Sequence, residues 1–276
     1  MSLTEDRAPS TAAKPFVGNL SIDDPSEPFN RRSARYAIRR SLRRARELVG
    51  DDPFWLPVVL RATPTGTVRR LSDATQLVIE GFPRSGNTFA FFALKHAEGL
   101  AGRQVVLSSH VHTPSAVKAA TSSRFPTLVV VRQPIDTIIS LLIAVPHVRF
   151  EDAIDEWIHH HREVLPYHRR FEATTFDQVT TDFGEVIARV NDRFGTAFAR
   201  YVPSTANDQA VFAAIEHNHA VLHGGTENVV PRPSELRRAE KEWLAGQLAA
   251  PRYRARLDEA GSVYEELARL SQAESS

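Results

Sequence analysis

The chain has 276 residues, 42% hydrophobic and 24% charged, with a formal net charge of +1 and no cysteine. This is the composition of a folded globular protein, which excludes collagen, coiled-coil and wholly disordered readings; without cysteine there are no disulfides, no thiol catalysis and no thiolate metal sites. The longest apolar run, 138–145, is far shorter than the ~18 residues that cross a bilayer, and the N-terminus lacks the order of a secretory signal, so a cytoplasmic protein is expected.

Residues 1–28 are rich in Pro, Ser, Asp and Thr without periodicity and read as a mobile leader. Residues 29–50 read as a basic amphipathic helix: eight arginines stand against Glu47 alone, Ile38, Leu42, Ala45 and Val49 recur at helical spacing, and Gly50 ends the run. Two uses fit it. One is peripheral contact with an anionic surface such as the inner face of a membrane; the other packs the apolar stripe on the body and leaves the arginines solvated or paired. An irregular connection at 51–72 follows, with Phe54, Trp55 and Leu56 expected to anchor it.

From Gln76 short apolar runs alternate with helical stretches. Leu77-Val78-Ile79 precedes a helix at 88–100, Val105-Val106-Leu107 precedes a short helix near Pro114, and Thr127–Val131 precedes a helix with Pro134 at its first position. Continuous apolar strands of this kind predict an α/β fold with a parallel sheet covered on both faces. The second half reads as helical, near 150–170, 181–194, 207–222, 233–249 and 252–271, around one strand at 173–176.

Two segments carry chemistry. Gly81-Phe82-Pro83-Arg84-Ser85-Gly86-Asn87-Thr88 joins an apolar strand to an apolar helix, the setting in which backbone amides and a helix N-terminus cradle a phosphate. Asn87 stands where a nucleoside-triphosphate loop carries lysine, and the cation has moved to Arg84. In the second segment, Val129-Val130-Val131 ends in Arg132 where a kinase strand offers a metal-binding Asp, and Ser140 follows eight residues later. An arginine there suits a second phosphate.

As an ordered pair, Pro83-Arg84-Ser85-Gly86-Asn87-Thr88-Phe89 and Arg132 with Ser140 resemble the two phosphate motifs of the sulfotransferase superfamily. Thr175-Phe176-Asp177 and Arg193-Phe194-Gly195 extend the resemblance more weakly, over about residues 76–195. It implies a P-loop-like three-layer fold, with residues 51–276 as one domain, and a 3′-phosphoadenylyl sulfate (PAPS) co-substrate leaving as 3′-phosphoadenosine 5′-phosphate (PAP). Arg84, Ser85, Gly86, Asn87 and Thr88 then hold the 5′ end, and Arg132 and Ser140 the 3′-phosphate; no metal is required. The commoner loop has Lys, Thr and Trp where this chain has Arg84, Asn87 and Phe89. The family's later Arg-Lys-Gly segment is not evident, and Arg232, or Arg237 with Arg238, is its candidate substitute.

Ser108-Ser109-His110-Val111-His112-Thr113-Pro114 ends the second strand, where the resemblance implies a histidine general base. His110, directly after the strand, ranks ahead of His112, and alternation along extended backbone predicts that the two rings face the same way. A metal pair is the weaker reading, lacking a third ligand. His159, His160 and His161 read as solvated helix surface, and Glu151, Asp152, Asp155 and Glu156 as charges complementing a helix dipole. The function expected is sulfuryl transfer to an acceptor hydroxyl or amine; a P-loop kinase and a non-catalytic nucleotide-binding module are the alternatives. The acceptor is expected to be a small molecule, carbohydrate or lipid, with no nucleic acid involved.

Overall fold

The computed structural model describes residues 34–62, 68–145, 148–223 and 235–273. The predicted leader and Arg232 lie outside the described residues, as does the side chain of Arg237.

Four strands, β1 (Leu77–Glu80), β2 (Leu107–Ser109), β3 (Thr127–Val131) and β4 (Glu172–Thr175), form one sheet in the order β2-β1-β3-β4. All three pairings are parallel and every strand residue is buried. The predicted α/β architecture is therefore present, and the apolar character of the two central strands, β1 and β3, follows from helices covering both faces. β2 begins two residues later than the apolar run Val105-Val106-Leu107 indicated, because Leu107 is the residue in register with Leu77, and Val106, half exposed, hydrogen-bonds the Gln76 side chain through its N–H.

Helix α1 (Ala34–Val49) precedes a short helix α2 (Leu56–Ala62) inside the segment expected to be irregular. Leu56 packs on Val68, Val111 and Ala116, whereas Phe54 and Trp55 are exposed and anchor nothing. Along the sheet follow α3 (Asn87–Leu100), α4 (Pro114–Ser122) and α5 (Pro134–Ala144), the last two opened by proline at the first turn. The second half holds α6 (Phe150–Val164), α7 (Phe176–Thr181), α8 (Phe183–Phe194), α9 (Thr205–His223), α10 (Glu235–Leu248) and α11 (Arg254–Ala273). A core of α5, α6, α10 and α11 side chains around Trp157 covers one sheet face, and α3 and α8 side chains with Leu77, Ile79, Leu128 and Val130 fill the other. None of the described helices is long and apolar enough to cross a membrane.

In α1 the arginines are paired, as the packing reading allowed, but the apolar stripe is not what packs. Ile38 and Leu42, the first two residues of the apolar stripe, are exposed. The arginine face turns inward instead: Arg40 and Arg44 hydrogen-bond Asp152, and Arg43 hydrogen-bonds Glu156, both acids buried on α6. Asp152 and Glu156 are thus partners of α1 and not merely dipole charges. His160 and His161, expected on the surface, are also buried, because α6 lies between α1, α4 and α11 and presents more than one face to protein.

Candidate functional site

β1 delivers the chain to the loop at the carboxyl edge of the sheet. A Cβ on Gly81 would lie 2.2 Å from the Val130 carbonyl oxygen, so only glycine passes β3 at this point. Gly86 has φ of 101°, and a Cβ there would meet the Phe176 ring at 2.9 Å. Arg84 takes a left-handed φ of 72° without being glycine, a backbone cost that a structure retains where the conformation is used. No side chain caps the N-terminus of α3, so its first amides remain donors for an anion. Asn87 donates to the carbonyls of Gly81 and Phe82 and so ties the loop to the helix. Ser85 Oγ and Asn87 Oδ1 are buried without a hydrogen-bond partner.

The residues of the second predicted motif meet this loop. Arg132, just past β3, donates through Nη1 to the Arg84 carbonyl at 3.1 Å, and its guanidinium stacks 4.1 Å from the Phe176 ring centre. Its Nε is buried without a partner, and burial lowers its pKa below that of an ordinary arginine. Arg84 Nε donates to Ser140 Oγ on α5 at 3.0 Å. Arg84, Arg132, Ser140 and Phe176 therefore gather from a loop and three other elements. Phe176 entered the sequence reading only through the aromatic-acidic pattern, since its packing against Gly86 and Arg132 is tertiary.

The histidines follow β2, but alternation does not orient them. His110 (φ 67°) and His112 (φ 58°) are both left-handed, which breaks the extended geometry on which the alternation rests. Their rings are nonetheless 5.5 Å apart, edge to face. Both nitrogens of His110 are engaged by hydroxyls, Nδ1 by Ser109 at 2.7 Å and Nε2 by Thr88 at 3.0 Å. His112 differs. Its Nδ1–H donates to the Gly81 carbonyl at 2.8 Å, which makes Nε2 the unprotonated nitrogen of the neutral ring. Burial is the main reason that the pKa falls to about 3 for His110 and about 4 for His112.

Glu80, which the sequence reading passed over, fixes this turn. Its buried carboxylate accepts the amides of Val111 at 2.9 Å and His112 at 3.1 Å, and burial pushes its pKa up to about 7. Arg46 of α1 donates to the Val111 carbonyl from the other side. The signal in the sequence was a lone carboxylate ending an apolar strand. Of the three consecutive histidines, His160 and His161 pack against Phe82 of the loop, with ring centres at 5.6 and 5.9 Å, and His159 is exposed and bonded to Asp51. Among the described residues no group of three or more His, Asp or Glu side chains is arranged to hold a metal ion. Arg238 is exposed on α10.

No protein-family model and no curated protein matches the sequence. Among solved structures the chain is similar to mouse sulfotransferase SULT7A1 complexed with PAP, at 12% identity over 73% of this chain and 88% of that chain, with a TM-score of 0.45. So distant a likeness carries no functional weight, and the chemistry rests on the residues themselves.

Proposed function

We propose that the protein is a sulfotransferase that uses PAPS. The observation that carries this reading is the Arg132–Arg84–Ser140 cluster, which joins two sequence motifs up to 56 residues apart into one cationic site at the carboxyl edge of the sheet. A nucleotide bearing phosphate at both its 5′ and 3′ positions fits the donors present: the uncapped amides of α3, the unpartnered Ser85 Oγ and Arg84 on one side, and Arg132, with its unpartnered Nε, and Ser140 on the other. When bound, PAPS supplies an activated sulfuryl group. Arg84 offsets negative charge on the departing phosphate, and Thr88, held by His110, completes the loop. His112 ranks above His110 as the base, because its tautomer leaves Nε2 able to accept a proton while both nitrogens of His110 are engaged.

Calorimetry in EDTA tests the donor assignment. PAP is expected to bind more tightly than ADP or AMP by about 10- to 100-fold, since each charge-assisted contact contributes ~1.5–3 kcal/mol. Equal affinities with and without the 3′-phosphate would sink the proposal, and Mg²⁺-dependent preference for ATP would favour a kinase.

A further inference from the structure

A cavity of about 90 Å³ lies beside the donor cluster, between α1, α6 and Phe82-Pro83 of the loop, with His112 in its wall. Four residues lining it each carry a buried polar atom without a hydrogen-bond partner: Arg46 Nε, Glu47 Oε1, Asp51 Oδ1 and His160 Nε2. Arg43 Nε approaches Glu47 Oε1 only to 3.6 Å, beyond hydrogen-bond reach, and His160 is just 4% exposed. Buried polar atoms almost always find partners, so four around one cavity mark the place of a bound molecule or of water standing in for it.

The wall also defines the chemistry of that molecule. Arg43 and Arg46 are balanced by Asp51 and Glu156, while burial and the neighbouring Glu156 raise Glu47 to about 9 and keep it neutral at pH 7. Donors and acceptors are mixed without excess charge, which suits hydroxyl groups that both donate and accept. At about 30 Å³ per water-sized group the inner cavity has room for about three such groups, the edge of a polyol rather than a whole ring, and the Phe82 ring offers an apolar face beside them. A wider cleft of about 400 Å³ shares Glu47, Glu156 and His159 with it and continues along α6 past Asp152 and Arg162.

We propose that the two cavities together are the acceptor site and that it takes a neutral polyhydroxylated acceptor, a sugar or cyclitol unit with one hydroxyl-bearing edge in the inner cavity and the rest of the molecule in the outer cleft. The proposal rests on the sulfotransferase reading. In the transfer, the acceptor O–H breaks and its proton passes to His112 Nε2. The oxygen forms the new bond to sulfur as the bond from sulfur to the donor's phosphate oxygen breaks, releasing PAP. The other hydroxyls of the acceptor engage Arg46, Glu47, Asp51 and His160.

Ligand-observed NMR on the full chain, with and without PAP, tests this with millimolar methyl β-glucoside and myo-inositol as probes and phenol and 1-octanol as apolar controls. The polyols are expected to bind and the controls not, with affinity falling at least tenfold in Asp51→Asn and Glu47→Ala while PAP affinity is unchanged. Binding of phenol or octanol in preference to both polyols, or polyol binding that neither variant alters, overturns the proposal. If the variants fail to fold, the selectivity of the wild-type chain decides by itself. Loss of PAP binding with polyol binding intact would strike the donor reading alone, because the arm without PAP reads the cavity separately.

Discussion

At His112 one hydrogen bond settles which nitrogen can act. The Gly81 carbonyl holds the proton on Nδ1, and burial keeps the ring neutral down to about pH 4, so Nε2 is available across the neutral range. A bound anionic donor favours the protonated ring and raises that value. The acid limb of kcat/KM, which reports free enzyme, is therefore expected near pH 4, and that of kcat at a higher pH. His112→Gln is expected to lower kcat by about 10²–10⁴-fold with PAP affinity unchanged, the usual effect of losing a general base. His110→Ala is expected to weaken donor binding instead, through loss of its bond to Thr88. A kinetic series with calorimetry on both variants decides the matter: full turnover in His112→Gln would remove it from the mechanism.

At the level of elements, α1 is held by charge where its sequence pattern pointed to apolar packing. Arg43 meets Glu156, which is 7% exposed, so Arg43→Ala strands a buried carboxylate and is expected to cost about 3 kcal/mol in urea unfolding. Glu156→Gln in the same chain is expected to restore part of the loss; unchanged stability in Arg43→Ala would show that the pair contributes nothing. Much of the α/β half was legible in the sequence because its signals are local: the two central strands, β1 and β3, written as apolar runs, Gly81 and Gly86 around a tight loop, and Pro134 opening a helix. The Arg84–Ser140 contact was legible only as a pair of motifs. The inward face of α1 was not legible, since a helix with both an apolar and an arginine stripe has two ways to pack, and the deciding acids lie more than 100 residues away. Nor were the left-handed turns at His110 and His112, because Glu80 and Arg46 impose them from other elements.

For the whole molecule, buried titratable groups set the response to acid. His110, His112, His160 and His161 all have folded pKa values held below the ordinary 6.5 by burial. A depressed value means stability that is present above the unfolded pKa and lost as pH falls through the folded one. Glu80 and Glu47, raised to about 7 and about 9, act in the opposite sense, because their bound protons favour the folded state as pH falls. Four groups against two make the net expectation a loss of stability between about pH 6.5 and 4, measurable as a falling urea midpoint. A midpoint that is flat over this range would mean that these histidines are not buried in solution. The outer side of the sheet has a different consequence. Arg69 exchanges both backbone hydrogen bonds with Ser109 at 2.9 Å, and Ser108 Oγ adds a third to the same carbonyl. The last residue of the strand that carries the histidine turn is thus already paired on its outer side. At Ser109, beside the histidine turn, a neighbouring copy therefore finds no free amide or carbonyl on which to extend the sheet, and the covered end of this edge strand resists edge-to-edge pairing.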